Sequence, residues 1–286
     1  MTESARVRRV VPPAPRLSRR HAAGSGSARG LLFTVLGEFV LPTGGSAWTS
    51  SFIDVLGRLG VEEKAARQAL MRTAADGWLV SERVGRRTCW ALTPSAERLL
   101  TEGTERNYGF TGATQTWDGR WLLVLARSPE TERPSRHLVR TRLTWAGFGS
   151  PAPGVWVSTH PDRRGEAAQV LADAGLADAQ IFEGRHVGGG DLAEMVREAW
   201  DLAEIDGRYG RFLIEFTPAE ADDPLARLAQ LVHAWRKFPA IDPALPRELL
   251  PGRWSGVRAA DLFRTRHDDW AAGARAEWDR ISDTGG

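Results

Sequence analysis

Apolar residues recur at helical spacing three times between residues 28 and 75. The stretch ARGLLFTVLGEFVL puts Leu32, Val35, Leu36, Phe39 and Val40 on one side, and Pro42 with Gly44-Gly45 stops it. In TSSFIDVLGRLG, Thr49 or Ser50 can cap a second helix, Phe52, Val55, Leu56 and Leu59 form its inner face, and Gly60 ends it. The third repeat follows within a few residues. Turned through about 100° per residue, it sets Ala65, Ala66, Ala69, Leu70 and Thr73 on one side and Lys64, Arg67, Gln68 and Met71 on the other. Two helices joined by so short a glycine-containing turn form a helix-turn-helix signature. Asp76-Gly77 closes the third helix. Trp78 to Val80 and Thr88 to Leu92 then read as two strands around Gly85, with Arg83, Arg86 and Arg87 at the turn. Thr93-Pro94 opens a further helix, SAERLLTEG. The pattern predicts a winged helix-turn-helix over residues 28–102.

Residues 103–116, with three glycines and four threonines, read as a linker. The pattern then changes period. Trp121 to Ala126 is a continuous apolar run and hence a buried strand, and RPSRHLVRTRLTWAG is a basic helix with Leu138, Leu143 and Trp145 turned inward. GFGSPAPGVWVSTH reads as a hairpin, GEAAQVLADAGL as a helix and AQIFEGRHV as a strand, before Gly188-Gly189-Gly190. That β-α-β-β-α-β order predicts a ferredoxin-like domain over residues 117–188. Residues 191–286 read as mostly helical. DLAEMVREAWDLAEI forms one helix with Asp191 as its cap, Tyr209 to Phe216 suits helix or strand, and DPLARLAQLVHAWRKF is amphipathic. Pro243, Pro246 and Pro251 mark a stiff connector, and the end of the chain is one long helix or two short ones. The fold class is therefore α+β.

Length and charge sharpen this division. A chain of 286 residues suits two or three domains, and its 42% hydrophobic and 26% charged content is that of a soluble globular protein. One cysteine excludes a disulfide framework and a cysteine-rich zinc site. No apolar run approaches the roughly 20 residues of a membrane span, and the basic N-terminus has no apolar core behind it, so a cytoplasmic protein is expected. Net charge is +2, unevenly spread. Residues 1–29 carry seven arginines against Glu3, residues 30–110 balance at nine against nine, and the remainder is net acidic. Residues 1–27 are expected to be a disordered basic arm, either adding phosphate contacts or merely solvated.

The cations at 64, 67, 72, 83, 86 and 87 mark a surface for double-stranded DNA. Arg67 is suited to guanine, Gln68 to adenine and Met71 to a thymine methyl. Lys64, Arg83, Arg86 and Arg87 suit phosphates or the minor groove. Arg72, Thr49 and Ser50 complete the candidate contacts. The competing interpretation is an ordinary amphipathic helix with solvated cations. Asp118 stands near the first strand of the second domain and could serve a metal-dependent nuclease, but one carboxylate is a poor magnesium site. The six histidines show no paired metal-ligand spacing. Cys89 reads as filler, the triple glycine as a hinge, and no nucleophile or phosphate-loop motif appears. No enzyme activity, cofactor or metal is expected.

With these stretches laid out, the chain resembles the PaaX family of bacterial transcriptional repressors, which control phenylacetic acid catabolism. The resemblance is carried by WTSSFIDVLGRLGVEEKAARQALMRTAADGWL, WDGRWLLVL, LTWAGFGSPAPGVWVS and AWRKFPAIDPALPRELLPGRW, and spans about Ala28 to Phe263. It implies an N-terminal winged helix, a central ferredoxin-like domain similar to the second CRISPR-associated nuclease, and a helical C-terminal domain. It further implies a homodimer on an operator, released by an aryl-acetyl coenzyme A thioester such as phenylacetyl-CoA. Such an effector needs an apolar slot and cations for its phosphates. The candidates are Arg185 and His186, Arg208, Tyr209 and Arg211, and Arg236 and Lys237, with 205–212 preferred. A constitutive DNA-bound scaffold without an effector is the remaining alternative.

Overall fold

The computed structural model describes residues 27–113, 116–126 and 133–283. The expected basic arm lies outside them except for Ser27. The chain is α+β, with two small antiparallel sheets among many helices. Its compact units cut across chain order. Unit 1 takes the described residues up to Glu105 together with 221–233 and those from Trp270 onward; unit 2 takes 106–220 and 234–269.

Unit 1 begins with α1 (Ala28–Val35), whose first turn is capped by the Ser27 hydroxyl accepting from the Gly30 amide. The helix widens into a π turn over Leu36–Val40 and tightens over Leu41–Thr43. There the Thr43 hydroxyl donates to the Phe39 carbonyl at 2.7 Å, and Gly44 leaves in the left-handed conformation. Next come β1 (Ser46–Trp48), α2 (Thr49–Arg58), α3 (Glu63–Ala75), β2 (Leu79–Val84), β3 (Arg87–Leu92) and α4 (Pro94–Gly109). The sheet order is β1-β3-β2. Thr93 anchors the start of α4, its hydroxyl accepting from the Ala96 amide and donating to the Gly77 carbonyl.

The core of this unit unites the two ends of the chain. α9 (Pro224–Trp235) supplies Leu225, Leu228 and Leu231, and the last turns of α11 (Gly256–Asp283) supply Ala274, Trp278 and Ile281. The Trp278 ring stacks on Phe39 at 5.6 Å and meets Phe52 edge-on at 6.4 Å. The Ser51 hydroxyl donates to the Ile281 carbonyl, and the Thr34 hydroxyl lies 3.0 Å from His233 Nδ1. Arg58 spreads its guanidinium over Asp54, Asp223 and Glu277.

Unit 2 holds β4 (Arg120–Leu125), α5 (Arg133–Trp145), β5 (Gly149–Ala152), β6 (Val155–Ser158), α6 (Arg164–Asp173) and β7 (Gln180–Arg185). The sheet order is β5-β6-β4-β7, every neighbour antiparallel. Leu122, Val124 and Trp156 bury one sheet face against Val139, Leu143, Val170 and Leu171 of α5 and α6. On the other face Trp121 packs near Trp200. Gly149 is required there, because a Cβ would lie 2.5 Å from the Trp200 ring.

Several expectations need correction. α4 runs on to Gly109 through half of the expected linker. The single helix expected over 191–205 is two, α7 (Leu192–Ala199) and α8 (Leu202–Phe216). Between them Trp200 is extended (φ −134, ψ 137), and Asp201 caps α8 through the Glu204 amide. Tyr209 to Phe216 is helical, and the chain end is one 28-residue helix. α10 (Phe238–Ile241) leads into Asp242-Pro243-Ala244, where Ala244 has φ 53, unusual for a residue with a Cβ. Asp242 holds it, one carboxylate oxygen accepting from the Ala244 amide at 2.7 Å and the other from the Tyr209 hydroxyl at 2.6 Å. The His160 ring N–H donates to the Pro243 and Ala244 carbonyls, and burial keeps its pKa down.

Candidate nucleic-acid interface

The two sides of α3 follow the sequence period. Ala66, Ala69, Leu70 and Thr73 are buried, while Lys64, Arg67, Gln68, Met71 and Arg72 are exposed, Met71 at 63%. Small inner residues let the helix backbone sit close to α1 and α2, which pushes the long outer side chains clear of the surface. With Glu63, the five outer residues line one open depression. Glu63, an acceptor among donors and absent from the sequence-based candidates, belongs to that surface. Its carboxylate lies 2.7 Å from the Arg67 guanidinium one turn away. A four-residue Glu-to-Arg spacing is the signal that could have found it.

Gly60 (φ 78) turns the chain between α2 and α3, and Gly77 (φ 79) turns it out of α3 into β2. The β2–β3 hairpin pairs Leu79 with Leu92 through Val84 with Arg87, leaving Gly85-Arg86 as its two-residue tip. Gly85 takes φ 63, as such a tight hairpin turn demands. Arg83, Arg86 and Arg87 are all exposed, and the Arg83 side chain donates to the Gly85 carbonyl. Thr49 has a different place from the other candidates. Its hydroxyl donates to the Thr88 carbonyl at 3.0 Å and accepts from Trp90 Nε1 at 2.9 Å, fastening α2 to β3. Neither Thr49 nor Ser50 caps α2 by a side-chain hydrogen bond; Ser50 is exposed in its first turn.

Three family models cover this architecture in order. Residues 27–96 match the PaaX-like protein model, 114–196 the PaaX protein central Cas2-like domain, and 200–280 the PaaX-like protein C-terminal domain. The chain is also 32% identical over 251 residues to the transcriptional repressor PaaX of Escherichia coli, covering 82% of this chain and 78% of that one. The chain belongs to the PaaX family. Among solved structures, the uncharacterized protein Rv0674 from Mycobacterium tuberculosis shares the fold with a TM-score of 0.60 at 23% identity, across 89% of this chain and 98% of that one.

The candidate effector residues do not form one cluster in this PaaX-family chain. Arg185 ends β7 and His186 follows it, both exposed. Arg208 and Arg211 lie on the outer side of α8, 2.8 and 3.6 Å from Glu204. Tyr209 faces the opposite way. It is fully buried, stacked on Phe238 at 4.1 Å, and burial beside Asp242 drives its pKa far up. Tyr209 is therefore a core residue and not a lining for an open slot. Arg236, Lys237 and Arg208 do come together. Burial lowers the Arg236 pKa to about 10; Lys237 is depressed first by burial, then by the charge of Arg236 and less by that of Arg208, while Glu215 acts the other way.

Asp118 is engaged by Arg120, whose amide and guanidinium both bond its carboxylate; those bonds lower its pKa. Among the described residues no group of three or more His, Cys, Asp or Glu side chains is placed to hold a metal ion, and no helix is long and apolar enough to cross a membrane.

Proposed function

We propose that this chain is a transcriptional repressor that reads operator DNA with α3. The observation that carries the proposal is the division of α3 into a buried alanine-leucine side and an exposed Lys64-Arg67-Gln68-Met71-Arg72 side, next to a hairpin tipped with arginines. α2, α3 and the β2–β3 hairpin act as a winged helix-turn-helix, and the βαββαβ unit as a ferredoxin-like domain. In the major groove Arg67 pairs with guanine and Gln68 with adenine, while Glu63 can accept from a cytosine amino group. Arg83, Arg86 and Arg87 hold the backbone. The repressor function of the Escherichia coli relative supports this reading.

Two copies bind together, since a two-fold protein matches a two-fold operator. An aryl-acetyl-CoA effector releases them. The neighbouring cations Arg208, Arg236 and Lys237, with Glu215 beside them offsetting part of their charge, support a phosphate-binding role. The decisive experiment is a gel shift on an operator selected from random DNA, titrated with phenylacetyl-CoA and with free coenzyme A. Selection of a defined sequence that Arg67→Ala no longer prefers establishes the reading helix. Failure to select any sequence overturns it, and release by neither thioester nor coenzyme A overturns the effector.

A further inference from the structure

We propose that the exposed side of α5 is a second, sequence-independent DNA contact, which holds phosphates of the duplex flanking the stretch read by α3. The proposal rests on the DNA-binding reading above and adds a surface from a different part of the chain. Val139 and Leu143 are buried against the sheet of unit 2, which fixes the side of α5 that faces out. At the α-helical step, Arg133, Arg136, His137, Arg140 and Thr144 fall within one arc of about 100°. All five are exposed. No carboxylate occurs anywhere along the 13 residues of this helix, in a part of the chain that is net acidic.

Exposed arginines elsewhere lie against carboxylates, as Arg67, Arg120, Arg208 and Arg264 do. Arg142, on α5 but turned away from the row, pairs with Asp173 of α6. Among the described residues Arg133 and Arg140 make no such pair, and in this they match Arg86 at the hairpin tip. The local electrostatics of the row are adverse twice over. Cations three and four residues apart on a helix repel one another. Arg133 and Arg136 also stand in the first turn, where the helix dipole disfavours positive charge. Glu130 and Glu132 precede the helix in sequence, outside the described residues, and Arg133, Arg136 and Arg140 outnumber them. A polyanion laid along the row resolves both conflicts. From Arg133 to Arg140 the helix rises about 10 Å, the axial length of about three phosphates on one DNA strand. No apolar side chain stands in the row, so it lacks the core that a protein interface needs, whereas phosphates require only cations. Weak contacts suffice, because with α3 seated the adjoining duplex is held at an effective concentration of roughly millimolar.

The test uses the full chain and two duplexes. One is the selected operator alone, about 20 base pairs, and the other carries about 15 further pairs of random sequence at each end. The parent should bind the longer duplex more tightly, and with two added phosphate contacts that advantage should shrink about tenfold between 50 and 200 mM salt. Arg133→Gln/Arg140→Gln should bind the short duplex as the parent does and lose the advantage of the long one. Arg133→Lys/Arg140→Lys, which keeps the charge, should retain most of it. Both side chains are exposed, so the melting temperature should not move. A parent that gains nothing from the flanks overturns the α5 contact while the reading helix stands. So does a glutamine variant that keeps the gain, or one that weakens both duplexes alike. If no operator can be selected, the reading of α3 fails and α5 is judged on random duplex alone. There the glutamine variant should bind several-fold more weakly than the parent, and equal binding overturns the contact.

Discussion

On the proposed function, Arg67 would meet DNA already oriented. Its ion pair with Glu63 holds the guanidinium along the outer side of α3, yet both partners are more than half exposed, so the pair is weak and readily exchanged for a base edge. Arg67→Ala should reduce discrimination at one base position by about 1–3 kcal/mol, read as the ratio of operator to random-DNA competition in a gel shift. Loss of affinity that is uniform across sequences would instead make Arg67 a phosphate contact. In unit 2 the residue to examine is Asp242. Burial pushes its pKa up to about 6, against an ordinary value of 3.8, even though bonds from Tyr209 and the Ala244 amide favour its charged form. A carboxyl raised in the folded state contributes stability that is fully present below pH 3.8 and lost as the pH rises through about 6. That difference is on the order of 2–3 kcal/mol. Urea unfolding of Asp242→Asn should lack this slope between pH 4 and 7, and equal slopes in parent and variant would count against it. Glu277 has the opposite sign. Hydrogen bonds from Arg280 and then Arg58 lower it to about 2, so its contribution is present above its ordinary pKa of 4.5 and fades as the pH falls toward 2.

At the scale of elements, the proposed function divides the work between the hairpin and α3. Arg86 stands at the hairpin tip, away from the helix, so Arg86→Ala should weaken binding to all sequences alike and reduce the salt slope by about one. Affinity measured from 50 to 300 mM salt checks it. Near β5 the close approach of Trp200 leaves no room for a side chain at residue 149. Gly149→Ala should cost about 1–3 kcal/mol of stability through overpacking, visible as a lowered melting temperature. These elements were unequally legible in the sequence. α3 was legible because small apolar and long polar residues alternate at one period, so the buried side could be named residue by residue. β1 was not, because it is three residues long and exists only by pairing with β3, from Ser46 opposite Ala91 to Trp48 opposite Cys89, 45 to 41 positions on. The break at Trp200 was hidden for a similar reason. The local signal there is a lone capping aspartate, Asp201; the Trp200 backbone leaves helical geometry and its ring covers Gly149, a residue distant in sequence. The effector candidates were chosen by residue type, and type does not tell which side of α8 a tyrosine faces.

For the whole molecule, linear order proved a poor guide to which residues share a core. The sequence separates a reading domain at 28–102 from a helical region at 191–286, but residues 221–233 and those from Trp270 onward pack in unit 1 with the N-terminal helices. No periodicity reveals such a partnership, because a tryptophan at helical spacing is equally at home in any core. Trp278→Ala should remove about 3–5 kcal/mol by emptying the space between Phe39 and Phe52. Hydrogen exchange on α1 and α2 should report the loss; unchanged protection there would show that Trp278 is dispensable.

The place of Trp278 also bears on how the protein is made. Chains grow from the N-terminus at roughly 5–20 residues per second, so a ribosome that has finished α3 still has roughly 200 residues to add, some tens of seconds of work, before Trp278 is made. Throughout that interval the nascent reading helix lacks a wall of its own core. A prematurely terminated chain would then be an inert fragment, unable to hold the operator against finished copies, and repression would be exercised by complete molecules alone.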